Sequence, residues 1–287
     1  MSMTKQSPDI TQIKAEQLRN WDESAAGWSK FFDKFERGAQ CVSDRLVELA
    51  QIRPGQRVLD VATGIGEPAV TAARRVGPKG HVVATDHSPQ MIKFARERAS
   101  AIGVSNIEFF AMDAEALNLA EQSFDAIVCR WGLMFLPDLA GALQRMRLLL
   151  IPGGLLAASV WRDASKVPMI GLVLGVCRQF QLARPPAGTL GPLSLSDIDA
   201  LKRTFEQAGF GDISDESMTV TFEFASGEEY ARFQQRIQNP TTKLIGAQPN
   251  EVQAEIWQAV GASTAPYAGA DGVIRLPNEC VFVVARR

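Results

Sequence analysis

The stretch Leu59-Asp60-Val61-Ala62-Thr63-Gly64-Ile65-Gly66-Glu67-Pro68-Ala69-Val70 decides how this chain is read. An apolar run ends in a small-residue loop that leads into a helix-forming segment. Gly64 to Ala69 fits G-x-G-x-x-[G/A], a turn whose small residues let backbone amides approach a phosphate. Asp60 opposes that reading, because a bound diphosphate would meet a carboxylate at the strand end.

Outward from this loop the pattern is regular. "QRVLDVA", "HVVATD", "IEFFAMD", "FDAIVCR" and "GGLLAASVW" read as buried strands. "EPAVTAARRV", "SPQMIKFARERASAI" and "LAGALQRMRLLL" between them read as helices. Continuous Val/Leu/Ile strands alternating with such helices predict a parallel sheet covered on both faces. Before it, residues 9–37 place Trp21, Trp28, Phe31, Phe32 and Phe35 at helical spacing, and "AQCVSDRLVELAQI" follows as a second amphipathic stretch. The rhythm breaks after Trp161. An apolar helix over 166–182 precedes a Pro/Gly-rich loop, "ARPPAGTLGPLS". A helix capped by Ser196 or Asp197 and closed at Gly209 comes next, then the strand "DISDESMTVTFEF". Two helices, "GEEYARFQQRI" and "NEVQAEIWQAV", lead to "GVIRLPNECVFVVARR", a strand pair or one bent strand. The resulting division is one domain with a cap: an N-terminal helical lid (1–53), an α/β core (54–161), a cap insertion (162–192), core continued (193–225), a helical cap insertion (226–270) and a last core strand (271–287).

Composition narrows the function classes. The 287 residues are 46% hydrophobic with a net charge of −2, and no Lys/Arg run follows a helix face, so nucleic acid is not an expected partner. "MSMTKQSPDI" has no apolar signal region, and "LLLIPGGLLAASVW" is too short and too broken to span a bilayer. A cytoplasmic protein without membrane contact is expected. Cys41, Cys129, Cys177 and Cys280 are widely spaced, and His81 and His87 are the only histidines, so no metal site is expected.

The acids define the ligand. Asp86, ending the second strand, stands where a ribose diol would be held. Asp113, ending the third, is placed to accept from an exocyclic amine. With Asp60, three consecutive strand ends make an electronegative cleft. A sulfonium-bearing, zwitterionic adenosine derivative suits it and a dinucleotide diphosphate does not.

At this point the chain resembles the class I S-adenosylmethionine-dependent methyltransferases, in the small-molecule branch that includes the ubiquinone/menaquinone C-methyltransferases. The likeness covers roughly residues 40–160 and, less closely, "FEQAGF…TVTFEF". It implies a Rossmann-like, doubly wound, mostly parallel seven-stranded α/β sheet with an antiparallel last strand, N-terminal helices and a helical cap. It implies S-adenosylmethionine as cofactor, S-adenosylhomocysteine as product, and no metal. Asp60, Ala62, Thr63, Gly64 and Gly66 would form the cofactor loop, with Ala62 standing where the family usually has glycine. Asp86 would take the ribose, His87 and Met91 would flank the adenine, and Asp113 and Ala114 would read its edge. Arg130 would lie beside the methionyl group. Trp28, Phe32, Trp131, Met134 and Trp161 would line the acceptor pocket, with Trp28 in a lid over the methionine part.

Methyl transfer from a sulfonium asks mainly for positioning and exclusion of water. The cap holds no histidine, so an intrinsically nucleophilic carbon or nitrogen of a hydrophobic, aromatic or polyketide-like molecule is the expected acceptor, with O-methylation less favoured. Asp163, Glu228 and Glu229 are the cap acids to test, and no catalytic residue is assigned. A homodimer is compatible with the sequence. The alternatives are an NAD-dependent oxidoreductase, which lacks a Tyr-x-x-x-Lys pair here, and a methyltransferase fold that binds the cofactor without transferring methyl.

Overall fold

The apolar run before the loop forms β1 (Arg57–Val61), whose last four residues are buried. It is central: β1 pairs in parallel with β2 (His81–Asp86) on one side and β4 (Phe124–Arg130) on the other. A computed structural model describes residues 10–182, 190–237 and 240–287. Strand β3 (Ile107–Ala111) joins the far side of β2, and β5 (Leu150–Trp161) the far side of β4, again in parallel. The order is β3-β2-β1-β4-β5-β7-β6, where β6 is Gly211–Phe224 and β7 is Ile274–Arg286. β7 lies antiparallel to both neighbours, so the seven-stranded sheet is mostly parallel with its last strand reversed, as anticipated. Strand order reverses between β1 and β4, the switch point at which open sheets bind ligands.

Helices α2 (Ala69–Val76), α3 (Pro89–Ala101), α4 (Leu139–Leu149) and α6 (Ile198–Gln207) cover the sheet. Asp197, rather than Ser196, caps α6 by accepting from the Ala200 amide at 2.9 Å. Between β5 and α6, α5 (Pro168–Gln179) leaves the core, and α7 (Gly227–Arg236), α8 (Pro240–Gly246) and α9 (Asn250–Ala262) do so between β6 and β7. The two interruptions meet in space: α5 packs on α8, α9 and β7, and α7 on α9. Residues 183–189 of the expected Pro/Gly-rich loop lie outside the described residues. The chain end is a single strand; Pro277 sits beyond Cys280, where the β5 ladder stops, and so removes no amide from that ladder.

The N-terminal helices are one helix. α1 runs unbroken over Ile10–Leu49. Its internal glycines are points of contact, not breaks. A Cβ on Gly27 would lie 2.6 Å from the Arg236 carbonyl of α7, and one on Gly38 would lie 2.8 Å from Phe222 of β6. α1 can therefore press against cap and sheet at once, and it crosses the C-terminal edge of the strands.

Candidate active site

The loop after β1 is wound tightly. The Thr63 amide continues the sheet ladder to the Thr85 carbonyl at 2.9 Å, and Ala62, Gly64 and Gly66 adopt φ of +59°, +55° and +93°. Beneath it Asp60 is fully buried, and neither carboxylate oxygen has a hydrogen-bond partner. The Thr63 hydroxyl, buried beside this carboxyl, makes no well-formed hydrogen bond either. Burial pushes the Asp60 carboxyl up to about 8. The adjoining Glu67, also buried, accepts from the Thr71 hydroxyl at 2.7 Å and from Arg98 Nη2 at 2.9 Å.

Asp86 braces the loop from β2. Its Oδ2 accepts from the Gly64 amide at 2.8 Å and its Oδ1 from the Ser88 amide at 2.9 Å. Desolvation raises its carboxyl despite these two bonds. Ser88 caps α3 by accepting from the Met91 amide, and its hydroxyl donates to Asp22 of α1. Met91 is buried in a small cluster with Ile65 of the loop and Ala25 and Phe32 of α1, flanked by Trp21, Trp28 and Phe94. His87 is partly exposed beside it.

Asp113 lies two residues past β3 rather than at its end. Its Oδ1 accepts from the Glu115 amide at 2.9 Å and its Oδ2 from Lys14 of α1 at 2.8 Å; Lys14 also pairs with Glu115. Desolvation acts to raise this carboxyl, but the Lys14 and amide bonds outweigh it and leave it below the usual carboxylate range. Ala114 beside it is buried.

The Arg130 side chain is engaged elsewhere than at the loop. Its guanidinium donates to both Glu36 oxygens at 2.7 and 2.9 Å and to Ser43 Oγ at 2.8 Å, so β4 is tied to α1 through a buried bidentate pair. The five residues expected around an acceptor divide. Trp28, Trp131 and Trp161 belong to one aromatic cluster: Trp131 stacks on Trp161 with centroids 4.4 Å apart, and Phe35 lies edge-on to both Trp28 and Trp131. Phe222 and Phe233 stack on Phe35. Phe32 faces the loop instead, under Arg98, and Met134 is a fully buried core residue whose carbonyl accepts from Ser194. In the aromatic cluster the indole N–H of Trp28 is buried without an acceptor, and the Trp131 indole and the Ser159 hydroxyl on β5 meet no oxygen or nitrogen partner and lie beside the Cys280 thiol.

The cap acids do other work. Asp163 is exposed and closes a turn on Ser165, Glu228 is exposed beside Arg232, and Glu229 pairs with Lys34 and caps α7. Among the described residues no group of His, Cys, Asp or Glu is arranged to hold a metal ion. Sequence reasoning missed Lys14, Glu36, Glu67 and Arg98. Their ion-pair partners are distant in sequence, 31 or more positions away, although Glu67 also holds Thr71 four residues on. Phe222 was legible from its alternation with Val220 and Phe224 on β6.

These features belong to a methyltransferase domain. The family model described as "Methyltransferase domain" matches residues 52–209, more than half of the chain, and the chain belongs to that family. Aklanonic acid methyltransferase DauC of a Streptomyces species is 40% identical over 113 residues, 39% of this chain and 51% of that protein. Ubiquinone/menaquinone biosynthesis C-methyltransferase UbiE of Cronobacter sakazakii is 32% identical over 184 residues, 60% of this chain and 73% of that protein. The chain thus spans about half the length of the first of these relatives. The structure of Haemonchus contortus phosphoethanolamine N-methyltransferase 2 in complex with S-adenosyl-L-methionine superposes with a TM-score of 0.57 at 18% identity, over 99% of this chain and 61% of that one. That likeness is one of fold. No helix among the described residues is long and apolar enough to cross a membrane.

Proposed function

We propose that this protein transfers a methyl group from S-adenosylmethionine to a small hydrophobic, oxygen-bearing aromatic or polyketide-like molecule, at carbon or nitrogen. The observation that carries the reading is the buried, unpartnered Asp60 carboxyl under a left-handed loop. A carboxyl left without partners in the interior is costly, and a cationic ligand removes the cost where a diphosphate would add to it. The residues present therefore fit this cofactor. Asp60, Thr63, Gly64 and Gly66 would hold its methionine part, Asp86 its ribose, and His87, Met91, Asp113 and Ala114 its adenine.

When bound, the cofactor supplies a methyl on a positively charged sulfur, already a good leaving group. The protein's share is orientation and dryness. Trp21, Ala25, Trp28 and Phe32 of α1 seal the loop against water, and the aromatic cluster beside it is apolar. Its buried polar groups without an oxygen or nitrogen partner include two indole N–H donors and a hydroxyl, which suit a carbonyl or phenolate oxygen. With all three cap acids otherwise engaged, the acceptor must bring its own nucleophilicity. The printed names of the relatives, for aklanonic acid and for ubiquinone/menaquinone biosynthesis, support an oxygenated ring system.

Calorimetry with S-adenosylhomocysteine, followed by transfer of labelled methyl to a panel of quinols, phenols and amines, tests this. Binding of the product and labelling of a quinol or enolic acceptor are expected. Binding of NADH without S-adenosylhomocysteine overturns the reading, and cofactor binding without transfer to any acceptor leaves only its first half.

A further inference from the structure

Two neighbouring turns carry side chains that their backbones do not ask for. Ala62, after β1, has φ +59°, in the left-handed region where glycine is unstrained and an L-residue is not. Gly132, after β4, has φ −99° and ψ −40°, a conformation that any residue adopts. The usual placement of alanine and glycine is inverted. Backbone preference explains neither.

Volume explains both. β1 and β4 are paired through Asp60↔Val128, so the two turns leave the sheet side by side. A Cβ on Gly132 would lie 2.5 Å from the Ala62 Cβ and 2.8 Å from Cys129 Sγ. Two carbons in contact need about 4 Å. The methyl at position 62 occupies the space that a side chain at 132 would claim. Gly132 also follows Trp131, itself at φ +55°, whose indole lies flat on Trp161. The seat of the Ala62 methyl is therefore one residue from the aromatic wall.

We infer that Ala62 and Gly132 form a single steric pair that sets the position of the cofactor loop against the end of β4, which makes Gly132 a positioning residue for cofactor binding. The methyl that Ala62 keeps at a left-handed position is accommodated across the switch point by the glycine at 132. This rests on the cofactor reading above, since the loop is positioned for that ligand.

The test is S-adenosylhomocysteine affinity by calorimetry, with thermal melts alongside. Cys129→Ala removes the thiol that a new methyl would also strike, and it should bind within about threefold of the unaltered protein. Adding Gly132→Ala should weaken binding at least about tenfold. Adding Ala62→Gly to that pair should restore it to within about threefold. Ala62→Gly raises backbone freedom, so recovered affinity is not what a general loosening would give. Gly132→Ala without effect, or Ala62→Gly without rescue, overturns the pairing. Should the Cys129→Ala/Gly132→Ala protein fail to fold, the rescue is read in the thermal melts instead: adding Ala62→Gly should restore a cooperative transition, and failure to restore it overturns the pair. If the unaltered protein does not bind S-adenosylhomocysteine at all, the cofactor reading has failed and the inference falls with it.

Discussion

The carboxyl near the end of β1 and the one just past β3 lie at the same edge of the sheet in opposite surroundings. Asp60 is fully buried with no partner, and its carboxyl is pushed up to about 8. Asp113 is partly exposed, already holds Lys14 of α1, and stays below the usual range. The cation nearest in influence to Asp60 is Arg130, which is committed to Glu36. One acid still lacks a positive charge and the other has one from the protein itself. The contrast teaches that acids on one edge are told apart by what α1 brings to each.

The largest effect should come from breaking the pair that keeps Arg130 away from Asp60. Glu36→Ala leaves a buried guanidinium without its carboxylate and should destabilise the protein by about 3–5 kcal/mol in denaturant melts. A smaller loss means that Arg130 has turned to Asp60, which would erase the contrast. Asp60→Asn acts on the contrast directly. It should weaken S-adenosylhomocysteine by about 1.5–3 kcal/mol in calorimetry without lowering the melting temperature of the free protein, because it removes a carboxyl that folding leaves unsatisfied.

The same carboxyl sets a pH dependence. Below about 8 the free protein holds a proton on Asp60, and a cationic ligand expels it. Affinity should therefore tighten as pH rises from 6 to 8 and then level, and Asp60→Asn should flatten the profile. For stability the sign is opposite. The folded value lies above the unfolded one, so this group's contribution is complete below about 4 and is lost as pH rises through about 8. Asp86→Ala removes the brace on the Gly64 amide and should cost about 1–3 kcal/mol of cofactor binding; unchanged affinity would remove Asp86 from the site. Lys14→Ala should have the smallest effect, under about 1 kcal/mol of stability and abolished by high salt, because its ion pairs are partly exposed. A loss as large as that of Glu36→Ala would show the two ends of α1 to be held equally.

The sheet was legible because parallel strands buried on both faces must be written as continuous apolar runs, and Leu59, Val83 and Ile127 can be read one strand at a time. The loop was legible for a related reason: Gly64 and Gly66 have a local conformational cause. Helix α1 read as two amphipathic stretches, 9–37 and the one after it, and is one helix; the contacts that its Gly27 and Gly38 make with Arg236 and Phe222 lie far along the chain. Arg130 read as a cofactor residue because its partner Glu36 is nearly a hundred positions away. Met134 and Phe32 read as acceptor wall because an apolar side chain carries no mark of the cavity it faces.

By itself the sequence determined the strand order's raw material, the switch-point loop and the three acids on one edge, since these depend on periodicity and on residues close in the chain. Only the tertiary structure decided which acid remains unsatisfied, where α1 lies across the edge, and what the Ala62 methyl faces at Gly132. Those outcomes turn on burial and steric contact between segments that meet only once the chain has folded.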